Sequence, residues 1–235
     1  MDIRSERDGA VTILTMDDGN KNALNIEGFG AIDAAFDGVD DDAGAIVLTG
    51  REGILTAGLD LKFMQQASRE QMHELLVVFG RTLMRIWLEP RPTVCAATGH
   101  AIAAGSMLAM ACDHAVAAEG DFRWGLTETR IGFQLPHFGI ALGRHNLRAD
   151  RLDDLLLPGA VVDAAAAVEA GFADELAPPD EVLQRAVAHA GQLADLPAAA
   201  YAGTKRRLRG MAAEAVRQGL EDDITELLEQ MPEQA

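Results

Sequence analysis

"GHAIAAGSMLAMACD", residues 99–113, decides how this chain is read. It holds no acidic side chain before Asp113, and it is rich in Ala and Gly. A run so poor in charge belongs to the interior, where its small residues let backbones approach closely. Its composition predicts a short buried helix, entered through Ala103-Ala104-Gly105. The first N–H groups of a helix lack an internal partner and lie at its positive end. That entry either offers donors to a ligand or is a packing device, since small residues serve both purposes.

On both sides of this run, strand and helix signals alternate. "AVTILTMDDGN" (10–20) is a β-branched strand broken by a turn, and "AIVLTGR" (45–51) is a buried strand. Between them, Ile26, Phe29, Ile32, Ala35 and Phe36 recur at helical spacing. "ILTAGLDLKFM" (54–64) reads as a short strand running into a loop. From Arg69 to Glu89 the residues Met72, Leu75, Leu76, Phe79, Leu83, Ile86 and Trp87 trace one face of a long amphipathic helix, stopped by "EPRP". "TVCAATG" (93–99) and "HAVAAEGDFRWG" (114–125) are extended. Beyond about residue 150 the chain turns mostly helical, through 163–176, 180–196 and a charged stretch from Ala199. The reading is an α/β core over 1–150 with a helical C-terminal region over 151–235. No linker, repeat or low-complexity run separates the two.

The 235 residues carry 20 Lys and Arg against 37 Asp and Glu, a net charge of −17. Nucleic acid and anionic membranes are therefore excluded as bulk electrostatic partners. No apolar run reaches the ~18 residues of a membrane helix, and "MDIRSERDG" lacks a signal-peptide core, so a cytoplasmic location is expected. Cys95 and Cys112 lie in apolar stretches without a second Cys or His at metal-ligand spacing, which reads as two buried free thiols and no metal site. One segment opposes the charge trend: "TKRRLRG" gathers Lys205, Arg206, Arg207 and Arg209. It is either a local anion site or a solvated helix face.

Two more stretches stand out. "TAGLDL" places Ala57-Gly58 at a strand end before Leu59 and Asp60, where small residues again leave main-chain donors approachable. Two such donors converging on one oxygen would make an oxyanion hole. In "WGLTETRIGFQLPHFG" (124–139), Glu128 lies in an apolar setting. Desolvation there would raise its pKa into the range useful for proton transfer. The alternative is a surface ion pair with Arg123 or Arg130. None of the six histidines pairs with Ser or Cys in a nucleophile motif; His137, beside Pro136, would line a pocket or cap a helix.

Taken in order, "NKNALN" (20–25), "LTAGLDLKFM" (55–64), "GHAIAAGSMLAMACDHAVA" (99–117), "FRWGLTETRIG" (122–132), "AVEAGFADEL" (167–176) and "TKRRLR" (204–209) resemble the crotonase family, the enoyl-CoA hydratase/isomerase superfamily. The resemblance runs from about residue 5 to 215. It implies a spiral of β-β-α units with a helical C-terminal region, assembled as a homotrimer or hexamer. It also implies an acyl-CoA thioester as ligand, with coenzyme A part of the substrate and no separate cofactor. By motif, the thioester oxygen would accept from the N–H groups of Leu59 and Ala104. Lys21, Ala23, Leu24, Ala57, Gly58, Asp60, Leu61, Lys62 and Gly105 would surround the coenzyme A. Lys21, Lys62 and the 205–209 cluster would meet phosphates.

The departures from the family pattern bear on the reaction. Hydratases of the family use two glutamates. Glu128 matches the second, whereas the first position holds Met107, which cannot move a proton. Alanines 103 and 104 stand where many members have glycines, which narrows the pocket. The reading is a 3-enoyl to 2-enoyl-CoA isomerase, with Glu128 as the single acid/base. The alternatives are a hydratase using an unconventional second group such as His137 or Asp60, and a non-catalytic acyl-CoA binder.

Overall fold

The computed structural model describes residues 1–230. In chain order it runs β1 (Asp2–Asp8), β2 (Val11–Asp17), α1 (Ile26–Asp37), β3 (Ala45–Thr49), β4 (Gly53–Thr56), α2 (Leu61–Gln66) and α3 (Arg69–Trp87). Then come β5 (Thr93–Ala97), β6 (Gly99–Ile102), α4 (Ala104–Ala111), β7 (His114–Ala118), β8 (Arg123–Gly125), a 3-10 turn (Glu128–Ile131) and α5 (His137–Asn146). The C-terminal part adds α6 (Leu152–Leu156), β9 (Val162–Asp163), α7 (Ala164–Ala170), β10 (Glu175–Ala177), α8 (Val182–Ala194) and α9 (Ala198–Glu229).

Two sheets result, ordered β1-β2-β3-β5-β7-β10 and β4-β6-β8-β9. Each consecutive strand pair, β3–β4, β5–β6 and β7–β8, gives one strand to each sheet before a helix follows, and this is the expected spiral of β-β-α units. The strands of the larger sheet are parallel except for β1 against β2. A parallel sheet is covered on both faces, and the side chains of β3 divide by period two. Ala45 and Val47 pack with Val182, Ala186 and Ala190 of α8, while Ile46 and Leu48 enter the main core with Phe29, Phe36 and Trp87.

Helix α3 forms as its periodicity predicts. Ser68 and Gln71 make a reciprocal capping box, and all seven residues of the apolar stripe are buried. It ends two residues early, at Trp87, because no helix continues into Glu89-Pro90-Arg91-Pro92.

The structure differs from the sequence reading at four places. The opening run is not all helix: Gly99–Ile102 is β6, held between β4 and β8. Residues 61–66 form a helical turn and not a loop, capped by Asp60. The charged N-terminus is strand β1, a mostly exposed edge strand held by its ladder to β2. The region beyond 150 also contributes β9 and β10, which join the two sheets beside β8 and β7. Helix α9, its longest element, packs on α3 and α5. Among the described residues no helix is long and apolar enough to cross a membrane.

Candidate active site

The 20–25 segment and the end of β4 are built as one unit. Ala57 N–H donates to Lys21 O at 3.0 Å, Leu24 N–H to Gly58 O at 2.9 Å and Asp60 N–H to Leu24 O at 2.8 Å. Asn22 is wholly buried, and its amide donates to Met16 O and Leu55 O. The Thr56 hydroxyl donates to Asn22 O at 2.5 Å and accepts the Gly58 N–H at 3.0 Å. Gly58 needs to be glycine, because its φ is +93°. After these bonds are made, the N–H of Leu59 has no acceptor among the described residues.

The second donor arises on α4. Ala103 N–H is held by Gly125 O at 2.8 Å, and Ala103 O accepts the first helical bond, from Met107 N–H at 3.1 Å. Ala104 is the first residue of the helix, and its N–H likewise has no acceptor among the described residues. The two segments adjoin: a Cβ placed on Gly58 would lie 3.5 Å from Ala103 Cβ and 3.9 Å from Ala104 N. Gly105 serves packing instead of facing the cavity. A Cβ there would come within 3.1 Å of Thr56, so glycine lets α4 close on β4.

Between these segments opens a cavity of about 220 Å³. Ala57, Leu59, Leu61, Ile102, Ala103 and Met107 line it with Glu128, and Leu76, Phe79 and Phe133 are among its other apolar walls. Glu128 opens the 3-10 turn that follows β8. Its Oε2 is buried without a hydrogen-bond partner, and no ion pair to Arg123 or Arg130 forms. Desolvation raises the pKa from the ordinary 4.5 to about 7. Met107 lies one helical turn after Ala104 and is wholly buried.

Not every residue singled out from sequence reaches this cavity. The Asp60 carboxylate accepts from Lys62 N–H at 2.9 Å and Phe63 N–H at 3.2 Å, so it caps α2. His137 pairs with Asp223 at 2.6 Å and lines a separate groove between α5 and α9. Leu24 is wholly buried in the core, whereas Lys21, beside the 57–62 segment, and Lys62, at its end, are exposed.

The basic cluster divides. Arg206 and Arg207 are exposed, but Lys205 and Arg209 are buried, each 2.6 Å from the Asp113 carboxylate. Neither is available to a phosphate, because burying a cation requires a partner. Sequence alone hides this, as Asp113 lies some ninety residues upstream. The Ser106 hydroxyl was also not legible. It donates to Ala101 O at 2.6 Å and accepts the Gly125 N–H at 3.0 Å, tying α4 to the strand that leads to Glu128. Among the described residues no three His, Cys, Asp or Glu side chains gather as metal ligands.

The paired sheets fed by β-β-α units are shared with solved structures of enoyl-CoA hydratases and isomerases. An enoyl-CoA isomerase of Mycobacterium tuberculosis superposes with a TM-score of 0.89 at 32% identity, covering 95% of this chain and 97% of that one. Human mitochondrial delta3-delta2-enoyl-CoA isomerase, at 23% identity, shares the fold with a TM-score of 0.90 over 97% of this chain and 90% of that one. A Thermus thermophilus protein with an enoyl-CoA hydratase name is 33% identical over 225 residues, 94% of this chain and 87% of its own length. The enoyl-CoA hydratase/isomerase family profile matches residues 6–235. The chain belongs to that family and is an enzyme of the crotonase superfamily.

Proposed function

We propose that the protein shifts the double bond of a 3-enoyl-CoA to the 2-position, with Glu128 as the only proton carrier. The observation that carries this reading is the composition of the cavity wall. Glu128 is its one ionisable side chain, and Met107, which by the family resemblance stands at the position of a second carboxylate, lines the same wall. The Glu128 carboxylate takes a proton from C2. The electron pair moves onto the thioester oxygen, which accepts from the Leu59 and Ala104 N–H groups. The resulting carboxylic acid returns the proton to C4, and the enolate collapses to the conjugated thioester. No atom is gained or lost, and Glu128 ends ionised as it began. A pKa of about 7 suits this exchange, since a group that both takes and gives a proton works best near the operating pH.

Hydration would need a second group to activate water, and Asp60 and His137 do not line the cavity. Exposed Lys21, next to the 57–62 segment, and Lys62, at its end, suit the coenzyme A phosphates.

The test is conversion of 3-hexenoyl-CoA, followed by the ultraviolet absorbance of the conjugated thioester. The purified protein is expected to produce that absorbance. Glu128→Gln is expected to lose about 10²-fold or more in rate while still binding the ester. A protein that binds 3-hexenoyl-CoA and leaves it unchanged, or that rapidly hydrates a 2-enoyl-CoA, overturns the reading.

A further inference from the structure

Ala103 has φ +50° and ψ −111°, the mirror image of the extended region, which glycine enters freely and L side chains avoid. Asn22 is the other non-glycine at positive φ among the described residues. There the side chain compensates: its amide makes two hydrogen bonds and its oxygen accepts a third, from Asp18 N–H at 2.9 Å. Ala103 has only a methyl group. Its conformation is imposed by its pinned N–H and C=O, and the methyl adds nothing to that hold. What the methyl does is line the cavity, 3.5 Å from where a Cβ on Gly58 would stand.

The covalent position of this methyl is informative. It belongs to the residue immediately before the Ala104 N–H. Any carbonyl that accepts from that N–H brings its own substituents against the Ala103 methyl. In a thioester those substituents are the sulfur, common to all coenzyme A esters, and the α-carbon, which varies. We infer that Ala103 is a specificity-determining residue whose methyl closes the site to acyl thioesters branched at the α-carbon. This rests on the acyl-thioester reading above, but not on the isomerisation.

The test is therefore binding of saturated esters. Calorimetric Kd values for butanoyl-CoA and 2-methylbutanoyl-CoA are compared in the wild type and Ala103→Gly. The wild type is expected to bind the branched ester about tenfold or more weakly than the straight one. In Ala103→Gly the two Kd values are expected to agree within about threefold, and Tm to rise by about 2 °C or more as the backbone relaxes. An equal ratio of Kd values in the two proteins overturns the inference. So does a variant that melts below the wild type, because the methyl would then be supporting the turn. If neither ester binds either protein, the acyl-thioester reading itself has failed and this inference with it.

Discussion

Arg209 Nη1 lies 2.6 Å from Asp113 Oδ1, and this contact fastens the last helix to the turn between α4 and β7. Around the same carboxylate, Lys205 Nζ, Tyr201 Oη and Thr93 N–H donate at 2.6, 2.9 and 2.8 Å. Lys205 and Arg209 also donate to main-chain oxygens of Glu89, Arg91 and Trp87, at the end of α3. Removing the one anion leaves two buried cations without their counter-charge. Asp113→Asn is therefore expected to cost about 3–5 kcal/mol of folding stability. A urea titration measures it, with exposed Arg206→Ala as the control, expected within about 0.5 kcal/mol of wild type. Matching midpoints for Asp113→Asn and wild type would mean that α9 is held by its apolar packing alone.

The pKa of Glu128 sets two pH dependences of opposite sign. In the proposed mechanism the carboxylate is the reactive form, so kcat/KM for 3-hexenoyl-CoA is expected to climb with pH through about 7 and then level off. Stability moves the other way. Between pH 4.5 and 7 the unfolded chain has released a proton that the folded chain keeps, so ionising Glu128 destabilises the fold as pH rises through that window. The deficit above pH 7 reaches at most about 3 kcal/mol, less where solvent reaches the group. Glu128→Gln should melt above wild type at pH 8, with the gain shrinking towards pH 5. A constant difference across that range would disprove the shift.

Met107 shares the cavity with Glu128, so a carboxylate placed there should be felt by it. Two acids in one desolvated space resist double ionisation. If 3-hexenoyl-CoA is turned over as proposed, Met107→Glu is expected to move the acid limb of its pH profile upward by about one pH unit or more, whereas Met107→Leu leaves it in place. A limb that stays put in Met107→Glu would show that the two side chains do not sense each other.

Ser106 couples α4 to β8, the strand that leads to Glu128. Ser106→Ala removes one acceptor of the buried Gly125 N–H and the donor to Ala101 O, at an expected cost of about 1–3 kcal/mol. It also loosens the spacing between Ala104 and Glu128. We expect kcat to fall about tenfold or more with little change in KM, because small misplacements weigh on the transition state more than on binding. A lowered melting point with kcat intact would assign the hydroxyl to packing only.

The residues that could be interpreted from sequence were those whose role is local or rests on a pattern. The period-two alternation of β3 and the stripe of α3 follow from which side chains shun water. Ordered motifs led to the family, and Met107 and Glu128 bear on the reaction through their side-chain chemistry alone. Strand β6 could not be read in this way, because Gly99–Ile102 is extended only where β4 and β8 supply its backbone partners. Strand β1 has almost no buried face, so its ladder to β2 left no hydrophobic trace.

By itself, then, the sequence determined the alternation of elements, the family, and that position 107 holds a thioether and position 128 a carboxyl group, since each depends on residue type and order. The tertiary structure decided which charges are buried, which donors are left without acceptors, and how far Glu128 is desolvated. It also decided that Ala103 adopts a backbone glycine would prefer. These depend on hydrogen-bond and ionic partners brought together from distant parts of the chain, as Asp113 and Arg209 are, and a local pattern carries no record of them.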